Sequence, residues 1–149
     1  MISNHFPANY FNHGLIYAGS LPFLVGAACL LLDITTLPIV GNITDCIAAY
    51  GLVIVSFLAG IHWGHELSLG YVKLGLFISS NIIAVAVWAS WLLLSPQLFI
   101  AILVLPLVVL LYIDFTLYLK KIISRNYFSS RMIITIVVIA SLILASLSS

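Results

Sequence analysis

The chain has 149 residues, 64% of them hydrophobic and only 6% charged, with a net charge of +1. A soluble domain carries about 25% charged residues, so this composition excludes a globular surface coated for water and places the chain in the membrane class. No basic block occurs, which excludes a nucleic-acid partner.

Residues 1–13 contain no Lys or Arg, so the basic start of a signal or transit peptide is missing and the first apolar run is expected to stay. Spanning the hydrocarbon takes about 20 mostly apolar residues in a helix. The first candidate is Gly14 to Leu32, with Pro22 inside it. Membrane helices tolerate proline, although Pro22 frees the carbonyl of Ala18. "DITTLPIVGNIT" (Asp33 to Thr44) is a turn-rich loop. Its "NIT" at Asn42 matches a glycosylation sequon but lies too close to the membrane to carry weight. Cys29 and Cys46 give neither metal spacing nor a disulfide framework and read as small hydrophobes.

The second span is Asp45 to Leu67. At 3.6 residues per turn, Ala48, Gly51, Val55, Ala59, His62 and Glu66 share one stripe. Ala49, Val53, Ser56, Gly60 and Gly64 form another, and both are small enough for close helix packing in lipid. The third span is Leu74 to Leu94 and the fourth Gln97 to Leu119, with Pro106 within it. "KKIISRNYFSSR" is the one basic loop. The fifth span runs over 130–147, its certain apolar part starting at Met132. The expected fold is an all-α, five-transmembrane-helix bundle forming a single membrane domain over 1–149.

Five spans put Lys73, Lys120, Lys121, Arg125 and Arg131 on the side of the N-terminus. The positive-inside rule makes that side cytoplasmic and the C-terminus periplasmic. Trp88 and Trp91 then fall near the outer interface, and Trp63 and Tyr71 near the inner one.

The polar residues concentrate on the cytoplasmic side. "GIHWGHEL" (Gly60 to Leu67) ends an oily helix in His62, His65 and Glu66. An ionisable residue within a span is costly and faces the bundle interior with a partner. Asp114 is the one carboxylate at similar depth on another helix, so His62 is expected to meet it, with His65 and Glu66 forming a water-accessible mouth. His13, Tyr17, Asn81 and Tyr118 are the expected supporting groups.

The set offers three uses. One is a structural tie within a non-enzymatic accessory subunit of a membrane assembly, touching lipid and other membrane proteins. Another is binding or translocation of a proton, a metal ion, or a lipophilic cofactor such as haem or a quinone. The third is a membrane enzyme acting on a lipid. No nucleophile–base pair is visible, since Ser56 lies two turns from the histidines. Neither a metal nor a cofactor is specified by the pattern: "HWGHE" is not the H-E-x-x-H order of a zinc protease.

"YAGSLPFL" (Tyr17 to Leu24), "AYGLVIVSFLAGIHWG" (Ala49 to Gly64) and "YIDFTLYLKK" (Tyr112 to Lys121) resemble a family of small five-helix membrane proteins. It is the domain-of-unknown-function family numbered thirty-four twenty-nine, which includes the mitochondrial transmembrane-protein-sixty-nine-like proteins. The resemblance implies that Pro22, Tyr50, Gly51, Ser56, Phe57, Gly60, His62, Trp63 and Gly64 belong to its pattern, with His65 and Glu66 beyond it. It supplies no activity. With no transit peptide, a bacterial inner membrane is expected rather than a mitochondrial one.

Overall fold

The computed structural model describes residues 14, 17–68 and 74–148. It is an α-helical bundle: α1 Leu21–Leu31, α2 Ile43–Ser68, α3 Leu74–Leu93, α4 Pro96–Ile102, α5 Val104–Leu119 and α6 Arg125–Ser148. A two-stranded hairpin, β1 Thr36–Leu37 and β2 Gly41–Asn42, links α1 to α2. Four segments are long and apolar enough to cross a membrane: Ile43–Leu67, Gly75–Leu93, Pro96–Leu119 and Arg125–Ser148.

The first expected span is not one continuous helix. Tyr17 and Ala18 are helical, Gly19 and Ser20 make a turn, and α1 restarts at Leu21. Pro22 favours a break here. It donates no hydrogen bond, and its ring clashes with the carbonyl four residues back. The turn is satisfied locally: the Ser20 amide and hydroxyl both donate to Tyr17 O, at 3.0 and 2.8 Å. Tyr50 Oη donates to Gly19 O at 3.1 Å across the bundle. At 11 residues, α1 is about 16 Å long, short of the roughly 30 Å hydrocarbon. Pro106 acts more mildly, and the fourth span is only interrupted at Leu103, between α4 and α5.

The loops are tighter than their composition suggests. Asp33 and Lys121 both adopt positive φ (59° and 58°). Each closes a helix: Ile34 N donates to Cys29 O and Ile122 N to Leu117 O, the six-to-one bond of a Schellman cap. In the hairpin, Thr36 pairs with Asn42 and Leu37 with Gly41. Asn42 then caps α2, its Oδ1 accepting from Thr44 N at 2.8 Å, so the sequon residue serves the helix start. Cys29 and Cys46 are free thiols.

The basic segment expected as a loop is mostly helix. Because α6 begins at Arg125, Arg131 lies inside it and is buried. Its buried side, Arg131, Ile134, Thr135, Val138, Ser141, Leu142 and Ala145, is one continuous stripe, so the helical period runs through the arginine without interruption.

Helix α2 is the axis of the bundle, touching α1, α3, α4 and α5, while α6 closes against α1, α4 and α5. Two glycines set the close approaches. A Cβ on Gly26 would stand 2.6 Å from Ile47 Cγ1, and one on Gly51 would collide with Leu103 Cδ1. Phe23, Leu30, Val55, Phe99, Ile100, Leu103, Leu110 and Leu142 fill the shared core. Helix α3 is peripheral and buries mainly Ser80 and Val87, two turns apart on one line.

Candidate functional site

Both stripes of α2 can be read directly. Ala48, Gly51, Val55, Ala59, His62 and Glu66 are all buried, whereas Ala49, Val53, Gly60 and Gly64 are exposed and Ser56 is half-buried. The first stripe carries its polar residues at the end nearest the α2–α3 connection. Helix α5 runs alongside and brings Asp114 to the same level on the line Leu107, Leu110, Asp114, Leu117. Helix α6 returns the other way and adds Arg131 one and a half turns from its start.

The result is a chain of three side chains from three helices. His62 Nε2 lies 2.8 Å from Asp114 Oδ1. Arg131 Nε lies 3.1 Å from Asp114 Oδ2. A carboxylate only accepts, so Nε2–H and Nε–H are the donors. His62 and Asp114 are each 1% exposed. One carboxylate thus holds two helices to its own through charge-assisted bonds, in a setting where screening by water is minimal. His62 Nδ1 is buried with no hydrogen-bond partner among the described residues.

Glu66 is placed differently from the expected open mouth. It is buried, and its Oε2 accepts from Phe77 N at 2.6 Å. Phe77 is the fourth residue of α3, close to its amino-terminal end. The carboxylate therefore caps the next helix and also answers the positive end of its dipole. Trp63 packs edge-on to Phe77 at 5.5 Å and braces the same corner. Glu66 Oε1 is buried without a partner among the described residues. His65 is half-buried beside this corner.

Of the expected supporting groups, Asn81, Tyr118 and Tyr17 are not drawn in. Asn81 turns back on its own helix, Nδ2 donating to Phe77 O at 2.8 Å. Tyr118 stacks on Phe128, with ring centroids 5.2 Å apart and planes 9° apart. Tyr17 is exposed beside the turn before α1. His13, Lys73 and Tyr71 lie outside the described residues. The residue missed from the sequence is Arg131, which was counted with the loop charges.

Chemically, the chain of three is a satisfied ion pair extended by a histidine. Ser56 is about 9 Å up the α2 axis from His62, out of hydrogen-bond reach of its ring. Among the described residues, no three His, Cys, Asp or Glu side chains converge in a way that could hold a metal ion. Beside the chain lies a cavity of about 360 Å³, open at one side, between α2 and α6. Its walls include Ile54, Leu58, Ile61 and Val138, with Tyr127, Arg131 and Thr135 as polar members.

Comparison with curated proteins and with solved structures gave no match. A family model described as "Protein of unknown function (DUF3429)" matches residues 12–147. The chain belongs to this family, as the motifs in α2 led us to expect.

Proposed function

We propose that this member of a family of unknown function is a non-enzymatic accessory subunit of a larger membrane assembly. In this reading, His62, Asp114 and Arg131 hold the bundle together from within, and the outer face of α2 meets a helix of a partner protein. The observation that carries it is the exposed line Ala49, Val53, Gly60 and Gly64, with Ser56 half-buried along it. Among the described residues, nothing beyond the adjoining residues and the backbone of α2 itself lies within 4 Å of a Cβ placed on Gly60 or Gly64. Helix association in lipid depends on close backbone approach over small residues, and a face meant only for acyl chains has no need of this one. The chain is read as one membrane domain in a bacterial inner membrane, N-terminus inside.

The test is affinity purification in mild detergent of the wild type, of Gly60→Leu with Gly64→Leu, and of Ile82→Leu on the outward side of α3. One membrane protein recovered in near-equal amount with the wild type and Ile82→Leu, and lost with the glycine pair, is the expected result. Recovery of all three alone contradicts the reading.

A second reading, a binding protein for a lipophilic molecule at the His62–Asp114 region, is favoured by the neighbouring cavity.

A further inference from the structure

We propose that the cavity between α2 and α6 binds an uncharged amphiphile: one hydrocarbon tail and a head that accepts hydrogen bonds through a carbonyl oxygen. This deepens the second reading above and is independent of a partner subunit. The cavity's size of about 360 Å³ falls at the lower end of ligand pockets, which run from about 300 to 1,000 Å³. From Tyr127 to Val138 its wall extends about 16 Å along α6, enough for a single tail of medium length. Its polarity is graded. Tyr127, Arg131 and Thr135 repeat every four residues on one side of α6 near the α5–α6 connection, and Ile54 and Val138 lie at the far end.

The polar wall decides the head. Arg131 can only donate, Tyr127 and Thr135 can both donate and accept through their hydroxyls, and among the described residues no Asp or Glu lines the cavity. The head must therefore accept. It must also be uncharged, because Asp114 already neutralises Arg131 through the bond at 3.1 Å. A full anion would meet a guanidinium whose charge is spent and would lose its hydration without return. A carbonyl loses far less on leaving water and finds the remaining guanidinium N–H groups in a medium where each bond is strong. The open side would admit the ligand laterally from the bilayer. Two membrane sources share this chemistry, a prenylated quinone and an acyl ester.

Native mass spectrometry of the purified full chain, with decylubiquinone, methyl laurate or laurate added in turn, tests the site. One decylubiquinone or one methyl laurate per chain is expected, and whichever binds more tightly identifies the source. Ile54→Trp, which fills the cavity, should weaken binding at least tenfold. Thr135→Val, which keeps the shape and removes a hydroxyl, should weaken it about fivefold, the worth of one hydrogen bond. Phe57→Ala removes an exposed wall residue without touching the core and should also weaken binding, so the result does not hang on Ile54→Trp folding. Failure of both neutral probes to bind, tighter binding of laurate than of either, or binding unchanged by Ile54→Trp and Phe57→Ala would overturn the proposal. None of these results depends on a co-purifying protein, so the accessory-subunit reading stands or falls separately.

Discussion

At the scale of single residues, the buried charges are organised by what each can donate or accept. Asp114 is the central acceptor of its chain of three, and two donors converge on it. Glu66 is turned the other way, toward a helix terminus. The two carboxylates therefore predict different mutational behaviour. Glu66→Gln keeps an oxygen for Phe77 N and should cost little in unfolding measured in detergent. Glu66→Ala leaves that amide and a buried space, and should cost about 1–3 kcal/mol. Equal losses for the two variants would mean that the carboxylate does not cap α3. The meeting of His62 with Asp114 was legible in the sequence because both lie on apolar stripes with a clear helical period, and burial forces such groups to find partners. Arg131 was not legible by the same reasoning, since a charge flanking an apolar run looks like a loop residue. Its signal was the period of α6 itself, which passes from Thr135 and Ile134 back to Arg131 without a break.

At the scale of elements, packing distances separate glycines that composition cannot. Gly51→Ala meets Leu103, a buried residue with little room to move, and should destabilise by about 1–3 kcal/mol, the usual cost of overpacking. Leu103→Ala in the same chain should relieve part of this clash. Gly60→Ala meets nothing within 4 Å and should stabilise α2 by up to about 1 kcal/mol, since alanine is the better helix former. Helicity and thermal unfolding of these variants check both signs. The break ahead of α1 belongs at this scale too. Pro22 alone does not decide between a kink and a stop. The decision comes from Ser20 and Tyr50, which satisfy Tyr17 O and Gly19 O only when the chain turns there. The Tyr50–Gly19 contact is long-range and leaves no periodic trace.

At the scale of the whole molecule, we propose that the N-terminal side and the α5–α6 connection face the cytoplasm. Lys120 and Lys121 lie in that connection and Arg125 opens α6, all three exposed, as the positive-inside rule favours. A reporter active only in the periplasm should work when fused at Ser149 and fail when inserted at Ser124. The reverse pattern would invert the topology. Burying Arg131 removes one charge from that count and leaves its sign unchanged.

The central claim is that one carboxylate on α5 ties α2 and α6 together. Removing Asp114 strands the buried Arg131 charge and costs about 3–5 kcal/mol, whereas removing His62 leaves Asp114 paired with Arg131 and costs a buried charge-assisted hydrogen bond, about 1.5–3 kcal/mol. The most direct measurement is a double-mutant cycle of His62→Ala and Asp114→Asn, followed by thermal unfolding in detergent. The account predicts that both single variants lose stability, Asp114→Asn more than His62→Ala, and that the double variant loses clearly less than the two losses combined. Additive losses would mean that His62 and Asp114 do not interact, and would contradict the account.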